Sequence, residues 1–141
     1  MDQEDYVKEI KEAEFNRDLK DEVLLDKEDH RTYRGIVGSL LWAASMTRPD
    51  ISFDVASIAG ATNAPMIADM KRAAKVIKRA KSSKVVLRFP KMEGDVQLIV
   101  YCAAAWGTFG AVKTGGGIFL ALATTNPQSG NQQFCPVHWH A

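Results

Sequence analysis

Between Arg31 and Asp50, the residues Tyr33, Ile36, Val37, Leu40, Leu41 and Ala44 fall at i, i+3, i+4, i+7, i+8 and i+11. That spacing lays one broad apolar stripe along an α-helix. Pro49 then forces a corner, because the residue before a proline avoids the helical region. Asp26 is placed to cap this helix, with Glu28 and Asp29 in its first turn complementing the helix dipole. Gly35 and Gly38 lie inside it, where each costs about 1 kcal/mol against alanine; their presence predicts close approach of a neighbouring backbone. A second helix is predicted over 50–62, with Ile51, Val55, Ile58 and Ala59 on one face, ended by Asn63-Ala64-Pro65. A third spans 66–81, with Met66, Met70, Ala73, Ile77 and Ala80 inward. Ahead of all three, residues 3–15 read as a short helix with Tyr6, Val7, Ile10 and Phe15 inward, marginal without packing. Residues 16–25 read as a polar connector.

The period then changes from helical to alternating. Val85, Leu87 and Phe89 alternate with Val86 and Arg88 until Pro90 ends the run. Strands are predicted over 95–102, 115–123 and 132–139, separated by turn-rich segments. The fold class is therefore α+β: an N-terminal helical bundle followed by a three- to four-stranded antiparallel meander. Three pieces are expected: an acidic lead over 1–25, a three-helix segment over 26–84 and a sheet over 85–141. Such a sheet has an open apolar edge, which invites self-association and a loosely packed C-terminal half.

Composition narrows the setting. An apolar content of 46% with 25% charged residues is that of a soluble globular chain. No apolar run reaches the roughly 18 residues of a membrane span, and the acidic start lacks the apolar core of a signal peptide. An intracellular protein, cytoplasmic or nuclear, with no membrane partner is expected. Cys102 and Cys135 are too few for a disulfide framework and read as reduced thiols. Charge is divided unevenly: residues 1–30 hold twelve acids against five bases, and residues 31–93 hold twelve bases against four acids.

Four groupings could carry chemistry. Lys71, Arg72, Lys75, Lys78 and Arg79, with Lys81 beyond them, crowd one helix on which Asp69 is the single acid. Lys71, Lys75 and Lys78 share a face, which could track the phosphates of a duplex with salt-dependent affinity; the competing reading is the solvated face of an amphipathic helix. The run from Gly107 to Thr114 falls short of a phosphate-binding loop, because Val112 stands where its second glycine is needed and a strand follows instead of a helix. Cys135, His138 and His140 have metal-ligating side chains, but strand alternation predicts that Cys135 points away from both histidines, and His30 is far away in sequence. Neither cysteine is placed beside a base as a hydrolase nucleophile would be.

Two stretches resemble a known family. Tyr33-Arg34, Val37-Gly38-Ser39-Leu40-Leu41 and Thr47-Arg48-Pro49-Asp50-Ile51 are similar to the end of the reverse transcriptase in copia-type LTR retrotransposon Pol polyproteins, with Gln3, Tyr6 and Val7 as weaker matches further upstream. Tyr101, Ala104 and Trp106 resemble the end of the first strand of the ribonuclease H domain that follows there, and Cys135-Pro136-Val137-His138-Trp139 resembles its third strand, with His138 departing. The resemblance implies a thumb-like helical segment followed by an incomplete ribonuclease H sheet. It also implies a defect, since the family's first catalytic aspartate corresponds to Ala103. A methyl group cannot ligate the Mg²⁺ ions that such phosphodiester hydrolysis uses. The remaining carboxylates of both active sites would fall before Met1 or after Ala141. The expectation is a catalytically inactive fragment with no cofactor of its own, whose parent polymerises DNA on RNA and cleaves the RNA of RNA–DNA hybrids. As an alternative, the chain is a nucleic-acid-binding module that holds duplex backbone through the basic helix 71–81.

Overall fold

The computed structural model describes residues 2–105, 115–125 and 132–141. Among these, four α-helices precede a three-stranded antiparallel sheet, an α+β arrangement. The helices are α1 (Glu4–Glu9), α2 (Lys27–Met46), α3 (Ser52–Ala59) and α4 (Ile67–Ser82), with a 3₁₀ turn at Pro49–Ile51. The strands are β1 (Val96–Ala105), β2 (Gly115–Thr125) and β3 (Gln132–His140). The chain divides into two compact units, one covering Asp2–Val85 and one covering Val86–Ala141. Trp106, the near phosphate-binding loop at 107–114 and the turn at 126–131 lie outside the described residues.

The helical unit is built around α2. Asp26 caps it, its Oδ1 accepting from the amides of Glu28 at 2.9 Å and Asp29 at 2.8 Å. Tyr33, Ile36, Val37, Leu40, Ala43 and Ala44 are buried, and they pack with Ile51, Val55 and Ile58 after the corner and with Met70, Ala73, Val76, Ile77 and Ala80 of α4. Val7, Ile10 and Ala13 join the same core. Two polar pins cross it: the buried Tyr33 hydroxyl donates to the Ile58 carbonyl at 2.6 Å, and the Tyr6 hydroxyl donates to the Ser39 carbonyl at 3.3 Å. Burial pushes the Tyr33 phenol above its ordinary value.

Several expectations need correction. Leu41 is 44% exposed, and Ala43 takes its place in the core. The apolar stripe is therefore narrower than the sequence spacing implied. Met66 is exposed at the entrance to α4, and Ile67 is buried instead. The first helix stops at Glu9, so Ile10 and Ala13 reach the core from irregular backbone. Among the described residues no backbone approaches Gly35 or Gly38: an added Cβ at either would meet nothing within 4 Å. The connector at 16–25 does more than link. Its backbone covers the start of α4, where the amides of Ile67 and Ala68 donate to the carbonyls of Val23 at 2.9 Å and Asp21 at 3.1 Å. Helix N-termini leave such amides without intrahelical partners, so this contact fixes where α4 begins.

Residues 85–89, at the junction of the two units, form no strand; their alternation alone does not supply a pairing partner. In the second unit the sheet order is β1-β2-β3, with Val96 opposite Thr124 and Ala105 opposite Gly115. Between β2 and β3 the register slips: His138 lies opposite Leu120 and Pro136 opposite Ala121, leaving Val137 as an extra residue. This is a β-bulge, sited beside a proline that cannot donate to the ladder. Tyr101, Phe119 and Phe134 share one face, the latter two rings stacked with centroids 5.8 Å apart. Leu87, Ala121, Ala123 and Thr124 are the buried residues of this unit among those described.

Candidate functional site

The basic helix α4 begins where the Met66 amide donates to Asp69 Oδ2 at 2.9 Å, a side chain of the first turn closing the N-terminus. Its buried face anchors it, which leaves the cations on the outside. Most of them are paired. Lys71 holds Asp21 at 2.8 Å and Arg79 holds Asp54 at 2.7 Å, with a further bond from Arg79 to the Asp50 carbonyl at 3.1 Å. Arg72 lies 3.9 Å from Asp69, and Lys81 lies 3.4 Å from Glu12. Lys75 and Lys78 are exposed and take part in no ion pair among the described residues. The acids that answer the helix come from the acidic lead, from α3 and, for Arg72, from the first turn of α4 itself. The opposite charge excess of residues 1–30 and 31–93 was the sequence signal for this pairing, but which acid meets which base depends on the fold.

At the C-terminal end of α4 a depression is lined by Lys8, Arg48, Lys81 and Lys84, together with Glu4. Glu4 bridges Lys8 and Lys84 and so supplies the anion that those bases would otherwise lack. Hydrogen bonds from Lys8 and then Lys84 hold its carboxyl well below the ordinary 4.5, at about 2, and the same contacts raise both lysines. Because the folded value is depressed, the stabilisation is fully present above about pH 4.5 and is lost as pH falls towards 2. Both lysines are exposed and Glu4 is open to solvent on one side, so salt screens the effect. The Glu4 carboxyl, followed by NMR, is expected to titrate near pH 2 at low ionic strength and to move up towards its ordinary value in about 0.5 M salt. A Glu4 that titrates at its ordinary value in dilute buffer would mean the bridge is not held in solution.

Arg48 is the most heavily engaged polar side chain of the helical unit's corner. It is 4% exposed. Nε and Nη2 grip the two oxygens of Asp50 at 2.8 Å each, Nη1 donates to the Ala80 carbonyl at 2.7 Å, and Nη2 also reaches Ser83 Oγ at 2.9 Å. A cation at the last carbonyls of α4 suits the negative end of that helix. Next to it, Thr47 Oγ1 donates to Gln3 Oε1 at 2.8 Å. The Thr47–Ile51 stretch is thus architectural, tying the corner to both ends of the unit.

Ala103 lies exposed on β1, opposite Gly117, within a shallow depression that also includes Gly116 and His140. The histidines and cysteines sit otherwise than alternation predicted. Because of the bulge, His140, His138 and Cys135 face Ile118, Leu120 and Leu122 respectively, which places all three on one side of the sheet. Cys102, opposite Ile118 on β1, shares that side. Sharing a side does not bring them within reach of one ion: among the described residues no three His, Cys, Asp or Glu side chains are grouped to hold a metal. His30 is engaged elsewhere, its Nε2 lying 2.8 Å from the Thr62 carbonyl. Pro136 inside a strand was the one sequence signal that could have announced the bulge.

The arrangement defines an α+β protein with a helical unit in which most cations of α4 are held in ion pairs, and, among the described residues, a small three-stranded sheet. Among the described residues, no helix is long and apolar enough to cross a membrane. No family model, characterised protein or solved structure matches the chain.

Proposed function

We propose that the chain is a catalytically inactive piece of a copia-type retrotransposon Pol polyprotein, running from the last helices of the reverse transcriptase into the first strands of ribonuclease H. The observation that carries this reading is the order of the two motif stretches. Tyr33–Ile51 forms the central helix and its corner, and Tyr101–Ala104 lies on the first strand of an antiparallel meander. The parent would synthesise DNA on RNA and cleave the RNA strand of hybrids with Mg²⁺. At position 103 a methyl group offers no oxygen to such an ion. Incubated with an RNA–DNA hybrid and Mg²⁺, the chain is expected to give no cleavage above background. Turnover that persists after Asp50, Asp54 and Asp95 are each replaced by asparagine would refute the inactive assignment. Parentage is tested separately by the flanking coding sequence, where Tyr-x-Asp-Asp upstream and an acidic cluster downstream are expected.

A second reading, a module that holds nucleic-acid backbone through α4, draws support from Lys75 and Lys78, which are exposed and carry no ion pair among the described residues. Lys71, Arg72 and Arg79 would have to exchange Asp21, Asp69 and Asp54 for phosphate. Replacing Lys75 and Lys78 together by glutamine is expected to flatten the dependence of log affinity on log salt by about two, one unit for each lost phosphate contact. Titration of a fluorescent duplex at several salt concentrations reads this directly. An unchanged slope removes the helix from any interface.

A further inference from the structure

We propose that His138 and His140 form a two-nitrogen chelating site on β3 for a borderline divalent transition-metal ion of the Ni²⁺, Cu²⁺ and Zn²⁺ class. The inference is independent of the retrotransposon reading. The four donors on this side of the sheet are not grouped together, but these two are neighbours. His138 lies opposite Leu120 and His140 opposite Ile118, a regular stretch of ladder that begins just after the bulge at Val137. With no shift between them, residues two apart stand on the same side of a strand. Both side chains are exposed. The strand spaces their Cα atoms by about 6.6–6.8 Å. Each imidazole turns about two side-chain torsions, and a ring nitrogen binds such an ion at about 2.0–2.1 Å. The two rings can therefore close on one ion from the same side without moving the backbone.

The surroundings decide the class of ion. Residues 94–141 carry a single acid, Asp95, which precedes β1 at the end of the sheet where Thr124 and Gln133 stand, away from the histidines. The facing residues Ile118 and Leu120 offer no oxygen or nitrogen. The site's donors are thus imidazole nitrogens, with water completing the shell. Mg²⁺ and Ca²⁺ require oxygen ligands, whereas imidazole suits Ni²⁺, Cu²⁺ and Zn²⁺. The thiols stay outside it. Cys102 is two strands away, about 9.6 Å in the pairing direction, and Cys135 lies beyond the bulge, opposite Leu122. Two protein ligands are half the number that hold a structural zinc, and among the described residues no third His, Cys, Asp or Glu joins them. The ion is therefore exchangeable, with a dissociation constant on the order of 10–100 μM for Ni²⁺.

Ni²⁺ is the probe, because it does not oxidise Cys102 or Cys135 as Cu²⁺ would. Calorimetric titration of the full chain at neutral pH is expected to show one Ni²⁺ bound per chain, with Mg²⁺ failing to compete. His138→Gln and His140→Gln should each weaken binding at least about tenfold, since either leaves a single imidazole on the ion. Cys102→Ser and Cys135→Ser should leave it unchanged. No binding up to roughly ten times the expected dissociation constant, unchanged affinity in either glutamine variant, loss of binding in a serine variant with unchanged circular dichroism, or equal competition by Mg²⁺ would each overturn the proposal. Should a glutamine variant lose its fold, paramagnetic broadening in the unmodified chain decides. Ni²⁺ is expected to broaden first the amide signals of Ile118, Leu120, His138 and His140, and broadening centred elsewhere refutes the site.

Discussion

Replacing Arg48 with alanine is expected to destabilise the helical unit by about 3 kcal/mol, seen as a lower urea midpoint in circular dichroism at 222 nm with little change in slope. The magnitude follows from what is left behind. Arg48 is buried, and its guanidinium binds both oxygens of Asp50, the Ala80 carbonyl and Ser83 Oγ. Its removal strands a partly buried carboxylate and uncaps a helix carbonyl, and breaking one side of a buried pair typically costs about 3–5 kcal/mol. Asp50 keeps a quarter of its side chain exposed, so the lower end of that range applies. Lysine should recover little, because a single ammonium cannot reproduce the planar fork on Asp50 and reach the carbonyl at once. A loss below about 1 kcal/mol, the value of a surface ion pair, would show that the corner is held by packing alone.

The double change Gly35→Ala and Gly38→Ala is expected to raise stability by about 2 kcal/mol, an effect of opposite sign to the one the sequence suggested. Were these glycines where another backbone passes, a methyl group would clash. Both instead lie in helical backbone without a positive φ, and an added Cβ at either meets nothing within 4 Å. The remaining effect is that of helix propensity, about 1 kcal/mol per exchange. Additivity is expected, since neither new methyl has a partner to share. The same urea titration checks it, and a destabilised double variant would reveal a contact on this face in solution.

Much of the helical unit was legible beforehand, and the reasons are local. The cap at Asp26, the corner at Pro49 and the inward row Tyr33, Ile36, Val37, Leu40 follow from short-range rules of backbone geometry and periodicity. The errors arose where a residue at the border of the stripe had two options. Leu41 and Ala43 flank the same arc, and only the position of α3 and α4 decides which is covered. Met66 and Ile67 likewise compete at the mouth of α4, and the backbone of 21–25 settles the matter. Of the candidate site, the cations of α4 were visible as a cluster, but their neutralisation by Asp21, Glu12 and Asp54 was not, because those partners lie 25 to 69 residues away.

The sequence by itself determined the change from helical to alternating periodicity, the helix ends set by Asp26 and Pro49, and the alanine at position 103. Each is a property of residues a few positions apart. Tertiary structure alone decided which cations stay unpaired, what Arg48 holds, and on which side of the sheet Cys135, His138 and His140 stand. Charge pairing depends on which distant elements meet. The facing of β3 depends on one extra residue accommodated against β2, a shift that no count along the strand contains.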